Sequence, residues 1–315
     1  IKQFTRQEWN MYLHEDKEIF KDIIEQVAED TGRAVAIIEK DYYVTMLLRL
    51  LSKKLSNVVF KGGTSLSKGF KVINRFSEDI DITFDEHIGE ARRKKLKNNI
   101  IKGISEELNL PILNWSETQS DRDYNAYYFS YESVVGLEND NMLSSVKLET
   151  ALGSYAFPTE IIQIENYIGN FFKKRNRNDL IEQFMLDEFE MKLQSIDRTY
   201  IDKIFALCDY YMQGKSKRYS RHLYDIYKLS EKISFGQSFV TLYQEIREHR
   251  KKMKICPSAK DNVNISSLIN EFCENNFYKE DYQTITNYFS DDYVSYEDAI
   301  DQMKKIGKII RSFEE

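Results

Sequence analysis

The stretch FKGGTSLSKGFKVINRFSEDIDITF, residues 60–84, decides the reading. A short β-type run over residues 57–60 stops at Gly62-Gly63. The hydroxyl pair Thr64-Ser65 then opens what reads as a helix over residues 64–73. Glycines let the backbone approach a ligand closely, and a helix N-terminus offers unpaired N–H groups to an anion. No GKS or GKT follows, so this is not a Walker A loop, and a glycine pair alone is most often a turn. Residues 77–84 then alternate, with Ile80, Ile82 and Phe84 on one strand face and Asp79 and Asp81 on the other. Two carboxylates on one face repel unless a cation stands between them, and hard oxygen donors of this kind suit Mg2+. DxD in isolation is usually an exposed strand face or a turn. Strand, glycine pair, helix, then strand with DxD is much more specific than either half.

The flanks are coarser. Thr5 and Glu8 form a capping-box pattern before a helix through Ile19, Phe20, Ile23, Ile24 and Val27 that ends at Gly32. A second helix fits residues 34–55, and a charged surface helix fits 92–108. Strands are expected over 112–115, 124–133 and 143–150, with the tyrosines of 124–131 read as β-core. From about Asp179 onward the pattern is helical. The expected class is α+β: a small mixed sheet flanked by helices, with a mostly α-helical C-terminal half. The expected domains are residues 1–178 and 179–315.

Composition fits that outline. The 315 residues are 42% apolar, with only 3 Pro and 12 Gly, which excludes disordered and collagen-like chains and favours helices over many tight turns. Cys208, Cys256 and Cys273 form no CxxC pair and give neither a disulfide framework nor a zinc site. No apolar run is long enough for a membrane span, the opening residues IKQFTRQEWN lack a signal-peptide stretch, and a cytoplasmic location is expected. The net charge of −6 hides a division. Residues 171–260 carry 19 Lys/Arg against 12 Asp/Glu, in the clusters FFKKRNR, GKSKRYSR and REHRKKMK. Any one of these is ordinarily a solvated face; three around one site would suit a polyanion.

Further along, SSVKLET places Lys147 and Glu149 on one strand face. In RTYIDKIFALCDYY, Lys203 falls off the stripe of Ile201, Ile204, Phe205 and Leu207. In SRHLYDIYKL, Arg221 and Asp225 stand four apart on one helix face, a pair of little energetic value if it lies at the surface. His222 reads as a lone, structural histidine.

The glycine motif and the acidic pair resemble the nucleotidyltransferase superfold of polymerase-beta-like enzymes. Six blocks more closely resemble the AbiEii-type nucleotidyltransferase toxins of bacterial abortive-infection and toxin–antitoxin systems: IIEKDYYVTMLLRLL, FKGGTSLSKGF, RFSEDIDITF, VKLET, DRTYIDKIFALCDYY and SRHLYDIYKL. They run from about residue 37 to 230, and no motif is recognised beyond about 235. The resemblance implies an NTP-dependent enzyme using Mg2+, with Mn2+ as the alternative ion. It implies metal ligands Asp79, Asp81 and Glu149, with Glu138 and Asp140 as alternatives for the third. The catalytic set then also includes Lys203 and Asp225, and the nucleotide-binding set is Gly62, Gly63, Thr64, Ser65, Lys68, Ser77 and Arg221, with Lys68 or Lys203 neutralising phosphate charge. Ser77 is also a candidate self-modification site, although a strand-edge hydroxyl is the plainer reading. The implied acceptor is RNA, the tRNA 3′ end in particular, and the implied partner is an antitoxin protein. Protein nucleotidylation or kinase-like transfer at the same site, and a catalytically degenerate RNA-binding module, are the competing readings.

Overall fold

A computed structural model of the chain describes residues 11–75, 77, 79–136, 144–286 and 292–314. Thr5, Glu8, Glu138, Asp140 and Leu143 lie outside the described residues. Two compact units emerge: residues 1–69, 78–156 and 161–193 form the first, and 70–77, 157–160 and 194–315 the second.

The first unit is α+β. Its six-stranded mixed sheet comprises β1 (Val58–Lys61), β2 (Ile80–Phe84), β3 (Tyr124–Ser130), β4 (Ser145–Ala151), β5 (Thr159–Ile164) and β6 (Phe189–Gln194), in the order β3-β4-β2-β1-β6-β5. β1 runs antiparallel to β2 and β3 to β4, whereas β2 is parallel to β4 and β1 to β6. The parallel β2–β4 pair needs a crossover, and the long connection between them supplies it. Register then sorts the residues by face. Ile80 stands beside Leu148, which stands opposite Tyr127, and these apolar side chains are buried. One residue along, Lys61, Asp81, Glu149 and Ala126 form a row across four strands. Because the side-chain period is two, the core-facing row fixes the polar row on the opposite face.

The helices match the apolar periodicity. Lys17–Thr31 is capped by Asp16, which accepts from the Ile19 N–H at 3.1 Å, and Gly32 closes it at φ +67°. Val35–Lys54 is buried on nearly every side, through Tyr42, Tyr43, Met46, Leu47, Leu50 and Leu51. Its polar residues are buried with partners: the Lys40 ammonium donates to the Ser145 carbonyl at 2.6 Å, and Glu39 accepts from the Ser133 hydroxyl and the Val134 N–H.

Three local expectations are corrected. The helix expected over 64–73 starts at Gly62 and ends at Gly69, where a Cβ would meet Leu193 Cδ2 of β6 at 2.3 Å. The charged surface helix expected over 92–108 is found as a helical run from Glu90 to Glu107, mostly exposed, with Leu96, Ile101 and Ile104 as its buried stripe. The strand expected over 112–115 reduces to a single bridge, Ile112 to Phe129. Finally, β6 falls where helix was expected, and its alternation of Phe189, Met191 and Leu193 with Glu190 and Lys192 is a strand period.

The second unit is helical, built on Ile196–Met212, Arg221–Ser230, Gln237–Lys251, Ile265–Glu274 and Tyr296–Glu314. Tyr200, Phe205, Tyr224, Tyr243 and Tyr278 are among its fully buried rings. No helix among the described residues is long and apolar enough to cross a membrane.

Candidate active site

The polar face of the first unit's sheet carries the acidic residues. Asp81 and Glu149 are register partners on adjacent parallel strands, and their carboxyl groups share a hydrogen bond. Asp79 lies just before β2, with its carboxylate 4.0 Å from the Lys147 ammonium, which also pairs with Glu149. The Tyr124 hydroxyl, diagonal to Glu149 on β3, donates to its Oε1 at 2.5 Å. The tyrosine-rich strand is therefore only half core: Tyr127 and Phe129 are buried, while Tyr124 is exposed on the face that holds Glu149.

Electrostatics follow from that crowding. Burial, then the hydrogen bond and charge of Glu149, push the Asp81 carboxyl well above the usual aspartate range. Burial alone would raise Glu149 too, but its bonds from Asp81, Lys147 and Tyr124 outweigh it and pull the group down to about 2. Two half-buried carboxyl groups side by side are thus driven apart in proton affinity, Asp81 up and Glu149 down. A divalent cation between them would relieve that crowding by serving both sets of oxygens. A pair of hard carboxylate donors fits Mg2+, which takes one or two carboxylates and leaves its other positions to water and phosphate. Among the described residues, no group of three or more His, Cys, Asp or Glu side chains is gathered tightly enough to hold an ion as it stands. Asp81 and Glu149 are the assembled part of the acidic set, and Asp79 faces Lys147.

Gly62 explains the glycine pair. It sits at φ +79°, and a Cβ there would lie 2.0 Å from Asp81 Oδ2, so the Asp81 carboxylate occupies the space that a side chain would fill. The hydroxyls that follow turn inward. Thr64 Oγ1 donates to the Asp79 carbonyl at 2.5 Å and Ser65 Oγ to the Gly62 carbonyl at 2.9 Å, and both residues are buried. They brace the loop against the acidic strand. Lys68 is engaged with Asp41 at 2.5 Å, and Asp41 also accepts from the Tyr167 N–H at 3.1 Å. Asp41 was not singled out in the sequence, although it lies in the block IIEKDYY.

The second unit holds the other basic and acidic candidates. Asp225 is fully buried, and Arg75 grips it with two bonds: Nε to Oδ1 at 2.6 Å and Nη2 to Oδ2 at 2.8 Å. Lys203 Nζ bonds the same Oδ2 at 2.6 Å and lies 3.4 Å from His222 Nδ1. The expected surface pairing of Arg221 with Asp225 is corrected: Arg221 is exposed, and Asp225 is claimed by Arg75 and Lys203. Lys203 is likewise buried rather than free on a polar face. Burial works against the Asp225 charge, but Arg75 and Lys203 override it and hold the carboxyl well below the usual range. Burial, with Arg75 nearby, lowers Lys203 despite its partner, because two cations share one carboxylate. Burial and the Lys203 charge keep His222 neutral at neutral pH. Arg75 opens the block RFSEDIDITF, but it was not singled out in the sequence. Ser77 belongs to the same segment.

The three basic clusters also separate. Arg250 is spent on Asp202 and Asp209, Arg247 on Glu314, Arg175 on Asp30 and Arg177 on Asp179. Around residues 214–221, by contrast, Lys215, Lys217, Arg218 and Arg221 are all exposed beside a Tyr210–Tyr219 stack with centroids 3.6 Å apart.

The family model described as "Nucleotidyl transferase AbiEii toxin, Type IV TA system" matches residues 46–302, most of the chain. A search of curated proteins found no match.

Proposed function

The chain belongs to the AbiEii family of nucleotidyltransferase toxins of type IV toxin–antitoxin systems, and from that premise we propose that it transfers a nucleotide from an NTP to an RNA hydroxyl, the tRNA 3′ end foremost, using Mg2+ or Mn2+. The observation that carries the site assignment is the Asp81–Glu149 pair, half-buried, adjacent and cradled by Gly62.

Asp81 and Glu149, with Asp79 at the strand entrance, would hold the divalent cation. When bound, such an ion lowers the pKa of an attacking hydroxyl and neutralises charge on the phosphates. The chain supplies the rest by positioning. The parallel β2–β4 register fixes the two carboxylates, Tyr124 orients Glu149, and the backbone of Gly63, Thr64 and Ser65 is aimed at the phosphates. No covalent nucleophile is needed. Within the second unit, Asp225 aligns Arg75 and Lys203, and the surplus positive charge of that cluster suits a phosphate. Arg221 and its exposed basic neighbours in 214–221, with aromatic rings alongside, suit an RNA backbone. As a family member the protein has an antitoxin partner.

Incubation with Mg2+ and each labelled NTP, with and without tRNA, tests the proposal. Label on tRNA that disappears in Asp81→Asn is expected. Label on protein alone would favour protein nucleotidylation, and RNA retention without transfer would favour a binding module.

A further inference from the structure

Lys147 is placed on the same β4 face as Glu149, two residues before it, and opposite Tyr128 of β3. Its ammonium forms an ion pair with Glu149 and stands 4.0 Å from Asp79 Oδ2. It therefore touches two of the three carboxylates assigned to the cation, and approaches them from within the site. It is not on the surface rim, since its side chain is only 28% exposed. A single +1 charge held by a flexible stem can balance these carboxylates, but it cannot share their oxygens with a second cation in the same place.

We infer that Lys147 is a built-in counter-ion that competes with the divalent cation for Asp79 and Glu149. The inference rests on the metal-site reading above and goes beyond it. Metal entry requires the ammonium to withdraw, so Lys147 sets a threshold cation concentration below which the carboxylates stay paired within the chain. Its role is positional: it holds Glu149 and Asp79 in place when no divalent cation is bound, and weakens cation affinity in return. Tyr124 and Asp81 still hold Glu149 when Lys147 leaves, so the strand geometry survives the exchange.

The test needs neither nucleotide nor RNA. Free Mn2+ is titrated by electron paramagnetic resonance against the full chain, its Lys147→Met and Lys147→Arg variants, and Asp81→Asn. Lys147→Met is expected to bind Mn2+ at least about tenfold more tightly than the parent chain. Lys147→Arg, which keeps the charge, is expected to stay within about threefold of it. Equal or weaker binding by Lys147→Met overturns the inference while leaving the metal site standing. Absence of Mn2+ binding by every form overturns the metal-site reading and the inference with it. If Lys147→Met fails to fold, acetylation of Lys147 in the parent chain, followed by peptide mass spectrometry, decides. Its rate is expected to rise severalfold on adding Mn2+, and an unchanged or slower rate overturns the inference.

Discussion

Gly62→Ala isolates the tie between the glycine loop and the acidic strand. A Cβ at this position would lie 2.0 Å from Asp81 Oδ2, 2.9 Å from its Cγ and 3.1 Å from its Cβ. Ordinary contact lies near ~3.5 Å, so the carboxylate oxygen must move by more than ~1 Å. Asp81 cannot swing aside cheaply, because it is half-buried and bonded to Glu149. A displacement of that size at a reacting centre costs roughly 100-fold in rate. The backbone adds a separate penalty: φ +79° costs a residue with a Cβ roughly 1–2 kcal/mol. Gly32→Ala is the matched control, since Gly32 sits at φ +67° with nothing within 4 Å of its added Cβ. Both variants should lose thermal stability by circular dichroism, Gly62→Ala at least as much as Gly32→Ala because the clash adds to the backbone penalty. Only Gly62→Ala should lose nucleotidyl transfer, by about 100-fold or more at saturating NTP and Mg2+. Transfer by Gly62→Ala within about twofold of Gly32→Ala would refute the reasoning.

Three further outcomes follow from the same geometry. Asp225→Asn leaves Arg75 and Lys203 buried without their counter-charge and should cost roughly 3–5 kcal/mol in urea unfolding. Because the folded carboxyl is held below its unfolded value, that difference should be constant from about pH 8 to 5 and shrink only below about pH 4. A difference that instead vanished on going to high pH would contradict the assigned cause. Tyr124→Phe removes one hydrogen bond from Glu149 at a half-open position, so transfer should fall by up to about tenfold with an unchanged melting temperature. An unaltered rate would remove Tyr124 from the site. Lys68→Met strips Asp41 of its ion-pair partner and should cost about 2 kcal/mol or more, part of which Lys68→Met/Asp41→Asn restores. Unchanged stability with lost NTP binding would return Lys68 to the nucleotide.

The part of the fold that the sequence made legible is the part governed by short-range pattern. Alternation in residues 80–84 and 145–150 placed Asp81 and Glu149 on polar faces, and the glycine pair marked a backbone that a residue with a side chain adopts only at a cost. What stayed hidden depends on long-range pairing. That Asp81 faces Glu149 is a fact of the parallel β2–β4 register, which no local period encodes. Arg75 gives no hint of Asp225, 150 positions away, until the chain brings them together. The same holds for Lys68 with Asp41: a basic residue beside a glycine loop suggests phosphate until its partner is seen. β5 was missed for another reason. It ends the sheet with Glu160, Ile161 and Gln163 exposed, so no buried face imprints a period on its sequence. Of the basic clusters, composition could count the charges but not reveal which were already spent in ion pairs.

The account stands on nucleotidyl transfer at Asp81 and Glu149, and the position of the label in the NTP tests this most directly. Parallel reactions with α-labelled and γ-labelled NTP, each with Mg2+ and tRNA, follow which phosphorus reaches the acceptor. The account predicts α-label on the RNA, γ-label released in pyrophosphate, and loss of both signals in Asp81→Asn and Glu149→Gln. Transfer of the γ-label to any acceptor, or undiminished α-transfer by both variants, would contradict it.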